Sequence, residues 1–232
     1  ELLKTNTLGA WNVIEAAIAR RVAKVLTVST DKAVEPLIPY GTTKQMAEQI
    51  AVWANTWGHP QTQIAVVRYG NVWMSRGSVV DVWRQQVARG EPITVTEPAM
   101  TRFFITMQQS VDLIIEALNE MGGGEIYVPR GLPSYRLTDL AEAVAPGRRQ
   151  RMIGRRPGGE KVAEKLIADE EAARTLVSGD KLLVLPAFWT WKQPSYRGTL
   201  VPCSFTYRSD VNDQWLSVEQ LRAMLAQEPD EV

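Results

Sequence analysis

Two short runs carry the residue types that proton and hydride chemistry needs. The first, Ser29-Thr30-Asp31-Lys32-Ala33, sets a hydroxyl, a carboxylate and an ammonium side by side. The second, Tyr40-Gly41-Thr42-Thr43-Lys44, sets a phenol four residues before an ammonium. On a helix Tyr40 and Lys44 share one face. An ammonium beside a phenol stabilises the phenolate and lowers the tyrosine pKa, which equips it to act as a base near neutral pH. Alone, Tyr-x-x-x-Lys arises by chance roughly once in a few chains of this length, and a packing tyrosine above a solvent-facing lysine gives the same spacing. Likewise Asp31-Lys32 alone reads equally as a solvated loop pair. The conjunction of the two runs is what points to a site.

Local structure must bring the runs together. Apolar residues at Leu2, Leu3, Val13, Ile14, Ala17 and Ile18 predict an amphipathic helix from about Leu2 to Arg20. Lys24 to Ser29 reads as a short buried strand, Tyr40 to Trp57 as a second helix closed by Gly58, and Ile64 to Tyr69 as another apolar strand. Strands joined through helices make a parallel sheet, so the fold class is α/β, and ligands in such sheets sit beyond the carboxyl ends of the strands. Thr30 to Lys32 lie at such an end. Past Asn71 the elements shorten. Helices are expected at Val79–Arg89, Gln108–Met121 and from Leu137 or Thr138 to Ala145, with strands at Ile93–Thr96, Phe103–Thr106 and Ile126–Val128. Gly122 to Gly124 ends a helix, Gly154 to Gly159 is a glycine- and arginine-rich loop, and Ser217 with Gln220 has the spacing of a capping box. We divide the chain into residues 1–70, a sheet half with the first two runs, and 71–232, a mixed α/β half partly interleaved with the sheet.

Composition narrows the chemistry. Of 232 residues, 45% are apolar and 22% charged, which permits a core and excludes disordered or collagen-like classes. Lys plus Arg and Asp plus Glu are both 26, so no net charge favours nucleic acid or an anionic membrane as a partner. Cys203 is the only cysteine, which rules out an internal disulfide and fits a reducing, cytoplasmic setting. No His/Asp/Glu grouping suggests a metal, and His59, in a helix-exit turn, reads as exposed. The eight tryptophans read as core or interface. The apolar stretch from Leu182 to Trp189, broken by Pro186, is too short to span a bilayer.

Thr30, Tyr40 and Lys44 resemble the Ser/Thr–Tyr–Lys triad of the extended short-chain dehydrogenase/reductase superfamily. Within it, STDKAVEP with YGTTKQMAE is similar to the inverting UDP-N-acetylglucosamine 4,6-dehydratases of polysaccharide biosynthesis. The likeness continues through VRYGNVWMSRGSV, GEPITVTEPAMTRFFIT, Pro133 to Pro146, IGRRPGGEK and SDVNDQWLSVEQL. It implies a Rossmann-like doubly wound sheet, NAD or NADP as cofactor, a UDP-sugar substrate and a homo-oligomeric enzyme. It implies that Tyr40 takes the proton from the sugar 4-hydroxyl, that Thr30 bonds the same oxygen, and that Lys44 holds the nicotinamide ribose. Lys32, which stands where the related dTDP-glucose dehydratases carry glutamate, becomes the C5 base, given a pKa lowered by burial or a nearby cation, and Asp31 the acid toward the 6-hydroxyl. Asn71, Arg102, Arg156 and Glu160 become the contacts to the diphosphate and nucleoside ribose, arginine forks suiting phosphate and a carboxylate suiting ribose hydroxyls. Two departures stand out. An additional glycine at Gly158-Gly159 shifts the register of Glu160, and Trp73 occupies a place where the family has a smaller aliphatic residue.

The sequence contains neither G-x-G-x-x-G nor G-x-x-G-x-x-G, the pyrophosphate loop of a dinucleotide-binding half. The chain opens on Glu1 in mid-helix, and the resemblance starts just before the catalytic strand. We therefore expect the C-terminal part of a longer enzyme, inactive by itself. A nucleotide-sugar epimerase and a non-catalytic sugar-nucleotide-binding or oligomerisation remnant are the alternatives.

Overall fold

The computed structural model describes residues 1–227 apart from 59, 76, 157, 158 and 192–194. His59 and the first glycine of the Gly158-Gly159 pair thus lie outside the described residues. In chain order a π-helical turn, Leu3–Leu8, leads into α1 (Gly9–Ala19), then β1 (Lys24–Thr30), a 3₁₀ turn at Asp31–Ala33, α2 (Pro39–Trp53), α3 (Asn55–Gly58) and β2 (Gln63–Tyr69). There follow α4 (Val79–Ala88), β3 (Ile93–Val95), β4 (Thr101–Phe103), α5 (Met107–Glu120), β5 (Ile126–Pro129), β6 (Ser134–Arg136), α6 (Leu137–Val144) and β7 (Gln150–Met152). The rest comprises β8 (Lys165–Ile167), α7 (Asp169–Ala172), β9 (Thr175–Ser178), β10 (Lys181–Val184), β11 (Thr199–Leu200), β12 (Tyr207–Arg208) and α8 (Val218–Gln227).

These elements form two units. The first joins Glu1–Gly70, Thr106–Gly131 and Lys165–Tyr207; the second joins Asn71–Ile105, Leu132–Glu164 and Arg208–Val232. In the first unit a six-stranded sheet runs in the order β1-β2-β5-β10-β9-β11. β1, β2 and β5 are parallel, with Ser29 opposite Arg68 and Thr30 opposite Tyr69. β10 turns antiparallel between β5 and β9, and β11 extends that antiparallel edge. One face of the sheet, through Ala65, Val67, Tyr127 and Leu183, packs against Leu113 and Ala117 of α5. The second unit pairs β3 with β7 in parallel and β4 with β6 in antiparallel fashion. Its core gathers Trp83, Ile93, Met100, Leu140 and Leu221.

Two boundaries differ from the sequence reading, each for a local reason. The helix expected to reach Trp57 breaks at Ala54, because the Asn55 amide leaves the helix to serve β2: it accepts from the Ile64 N–H at 3.0 Å and donates to the Ile64 carbonyl at 2.8 Å. The strand expected at Phe103–Thr106 lies earlier, at Thr101–Phe103, because Thr106 caps α5, its hydroxyl accepting from the Gln109 N–H at 3.1 Å. The strands β6 to β12 went unread. At the C-terminal helix Ser217 and Gln220 form the expected reciprocal cap, with the Ser217 N–H on Oε1 of Gln220 at 2.8 Å.

Candidate active site

β1 delivers three of the candidate side chains in succession as it turns into the 3₁₀ segment. Extended backbone at Thr30 lets its hydroxyl accept from the Lys32 N–H at 3.4 Å, so the threonine caps the turn. The same hydroxyl donates to Oδ1 of Asp31 at 2.8 Å. Lys32 Nζ reaches that carboxylate oxygen at 3.0 Å. Asp31 is 1% exposed, whereas the Lys32 side chain keeps 29% of its surface in solvent. Asp31 and Lys32 are therefore not a solvated loop pair: the carboxylate is interior, and the ammonium spans from it to water.

The second run is held against the first by backbone contact. Pro39 starts α2, a position where its missing N–H costs nothing. Tyr40 and Lys44 follow on one face, and the ammonium of Lys44 donates to the Val28 carbonyl of β1 at 2.7 Å. Burial lowers the Lys44 pKa, with Glu48 one turn onward pulling the other way. Between Tyr40 and Thr42, Gly41 lies against the Asp31–Ala33 turn so closely that a Cβ there would sit 2.2 Å from the Lys32 carbonyl oxygen and 2.9 Å from Cβ of Pro36. Gly41 thus brings the start of α2 against the turn that holds Asp31 and Lys32. Replacing it by alanine forces helix and turn apart. We expect Gly41→Ala to cost about 3 kcal/mol, the upper end of ordinary overpacking, measured as a lower urea midpoint. An unchanged midpoint would mean the contact is not tight.

Thr30, Asp31, Lys32, Tyr40 and Lys44 accordingly gather at the carboxyl end of β1. The four residues expected to hold the sugar nucleotide all lie in the second unit, beginning with Asn71, which is exposed just past β2. Arg102 on β4 directs its guanidinium to the carboxylates of Glu160 at 3.8 Å and Glu164 at 3.6 Å, and donates to the Thr101 carbonyl at 2.7 Å. Glu160 thus lies beside Arg102. Arg156 lies exposed on the glycine- and arginine-rich loop, next to Arg155, which pairs with Glu97 at 3.9 Å. Glu164, 2% exposed, was missed by the sequence reading, as were Glu48 and Arg68 in the first unit. Only Arg68 carried a signal, a lone charge inside an otherwise buried run.

Parallel strands with these polar groups at the carboxyl end of β1, packed against helices, make a Rossmann-type α/β fold. Among solved structures, Pen from Bacillus thuringiensis superposes with a TM-score of 0.84 at 32% identity, over 96% of this chain and 68% of that one. The dTDP-glucose 4,6-dehydratase of Bacillus anthracis, solved with NAD, shares the fold at a TM-score of 0.60 and 16% identity, over 67% and 57% of the two chains. An inverting UDP-N-acetylglucosamine 4,6-dehydratase from Campylobacter jejuni is 37% identical over 95% of this chain and 69% of its own length. A UDP-glucose 4-epimerase from Rickettsia felis is 41% identical over 75% of this chain and 52% of its own. The family of polysaccharide biosynthesis proteins matches residues 1–185. The chain belongs to that family, and within it to the sugar-nucleotide dehydratases. Among the described residues no helix is long and apolar enough to cross a membrane.

Proposed function

We propose that this chain carries the catalytic and sugar-nucleotide-binding parts of an NAD(P)-dependent 4,6-dehydratase that acts on a UDP-N-acetylhexosamine and inverts C5. The observation that carries the reading is the interior Asp31 carboxylate, bonded at once to the Thr30 hydroxyl and the Lys32 ammonium. A simple 4-epimerase needs no acid and base beyond the tyrosine, whereas elimination across C5 and C6 needs both.

The chemistry of the donor set fits the nicotinamide end of a dinucleotide: a desolvated ammonium on Lys44 and a phenol on the same helical face suit a ribose and a reacting hydroxyl. A nicotinamide cofactor held there would supply a hydride acceptor for C4 and a hydride donor for C6. Tyr40 takes the proton of the 4-hydroxyl, and Thr30 orients that oxygen. The ketone so formed at C4 makes the C5 proton acidic. The structure pairs Lys32 with an anion at 3.0 Å, not a cation, and leaves it partly exposed, not buried. For the elimination its proton would have to pass to Asp31 across that contact, because a base must be a free amine and an acid a protonated carboxyl. Lys32 then takes the C5 proton, Asp31 protonates the departing 6-hydroxyl, and water leaves. Once hydride has reached C6, C5 takes a proton back on the opposite face, which inverts it, and the proton released by Tyr40 balances the one consumed.

Asn71, Arg102, Arg156 and Glu160 are assigned to the UDP moiety. Arg156→Ala and Arg102→Ala should each weaken UDP-sugar binding by about 1.5–3 kcal/mol, the worth of a charge-assisted phosphate contact, read by calorimetry. Arg102→Ala should also lower stability, since it removes a cation from the interior Glu164. A variant that lowers only the maximal rate would remove that arginine from the binding site. Because the 232 residues hold no glycine-rich pyrophosphate loop, we further propose that by themselves they bind NAD(P) negligibly. Supplying a half-domain with that loop, fused or as a separate polypeptide, should restore binding. The reading as a whole is tested by mass spectrometry of UDP-N-acetylglucosamine incubated with the reconstituted enzyme and cofactor: loss of one water from the sugar is expected. Recovery of unchanged mass would reject dehydration.

The second reading, a 4-epimerase, is favoured by the identity to the Rickettsia felis enzyme of that name. It predicts an isomer of equal mass.

A further inference from the structure

Arg68 is a cation near the carboxyl end of a buried parallel strand, 2% exposed, and every one of its five N–H donors is taken. Nε and one terminal nitrogen grip both oxygens of Glu48 on α2, at 2.9 and 2.7 Å. The terminal nitrogens also hold both oxygens of Glu171 on α7, at 2.7 and 2.9 Å, and the carbonyl of Leu166 on β8 at 3.0 Å. Arg174 stands 3.8 Å from Glu171, so two guanidinium groups meet two carboxylates and the cluster is neutral. Burial opposes the charge on Arg68, and the two carboxylates outweigh it, holding the arginine above its ordinary pKa. Burial would likewise raise Glu171, and Arg68 outweighs it, keeping that carboxyl below the usual range.

Glu48 follows Lys44 by one helical turn and Tyr40 by two, on the side of α2 that faces the sheet. We propose that Arg68 is a positioning residue for Lys44 and Tyr40: by taking both oxygens of Glu48 from the sheet side, it fixes the register of α2 on the sheet and partly offsets the carboxylate one turn beyond Lys44. The inference rests on the reading of Lys44 and Tyr40 as the catalytic pair. The ionisable groups on the elements packed against α2 are Lys4, Glu15, Lys24, Asp31, Lys32, Arg68 and Tyr69. Among all described charges, Glu48 is the one that shifts Lys44. Left uncompensated, Glu48 would tighten the proton on Lys44.

The test needs no turnover, so its outcome is independent of whether the enzyme is a dehydratase. Lysines are reductively ¹³C-methylated and the Lys44 resonance, assigned by its loss in Lys44→Arg, is titrated. In Arg68→Met we expect Lys44 to titrate about one pH unit higher than in the unsubstituted protein. In Arg68→Met/Glu48→Gln we expect it to return most of the way, because the offending charge is gone although the clamp is still missing. An unmoved Lys44 in the single variant overturns the proposal. So does a rise that the double variant does not reverse, since loosened packing alone would produce that. If circular dichroism shows Arg68→Met unfolded, Glu48→Gln decides, because its amide oxygen still accepts from Arg68: Lys44 should then titrate lower, and an unchanged or higher value overturns the proposal.

Discussion

Tyr40→Phe in the reconstituted enzyme is expected to lower turnover of UDP-N-acetylglucosamine by about 10²–10⁴-fold, the range for loss of a positioned acid–base group, while sugar-nucleotide binding stays within a factor of about two. The substitution deletes one hydroxyl from the second residue of α2 and leaves its surroundings in place. Gly41 keeps its contact with the Lys32 carbonyl, and Lys44 keeps its bond to Val28. What is lost is the acceptor for the 4-hydroxyl proton, so no reduced-nicotinamide absorbance should appear in a single turnover. Wild-type turnover by this variant would remove Tyr40 from the mechanism.

Lys32→Ala and Asp31→Asn should fail one step later, each slowing net dehydration by a similar factor of about 10²–10⁴. Oxidation at C4 depends on Tyr40, which neither change touches, so reduced cofactor and the 4-keto sugar should accumulate. The asparagine is nearly isosteric and its side-chain oxygen can still accept from the Thr30 hydroxyl. A defect in Asp31→Asn therefore reports the loss of a proton carrier more than a broken turn. Lys32→Ala should also stop solvent deuterium from entering C5 of the trapped ketone. Undiminished exchange in that variant would transfer the C5 base to another residue.

The parts of this design that a sequence shows are those governed by local periodicity and by motif. β1, β2, α2, α4 and α5 follow from apolar patterning and from end signals, and Thr30 to Lys32 fall at a strand end as that patterning requires. The capping pair Ser217 and Gln220 was legible because its signal is confined to four residues. The antiparallel half of the sheet was not. β10 is a continuous apolar run, buried at every position, with no alternation to mark it as a strand, and its first residue is a lysine. Only the fold reveals that Lys181 is paired there with Glu116 and Glu120 of α5, at 2.8 and 3.2 Å. Arg68 was hidden for the same reason. Its partners Glu48 and Glu171 lie 20 and 103 residues away, and no spacing rule reaches that far. Gly41 sat inside the Tyr-x-x-x-Lys run, yet its role depends on the Lys32 carbonyl across an intervening loop. Sequence thus marked the groups that could react at the end of β1, and tertiary structure supplied those that hold them in place.

The most direct measurement is the proton NMR spectrum of the product formed from UDP-N-acetylglucosamine and cofactor by the reconstituted enzyme in deuterium oxide. If Asp31 and Lys32 perform an elimination at C5 and C6, the product is a 4-keto-6-deoxy sugar with deuterium at C5 and the configuration of that carbon inverted. A product epimeric at C4 alone, with its 6-hydroxyl intact and protium retained at C5, would contradict it.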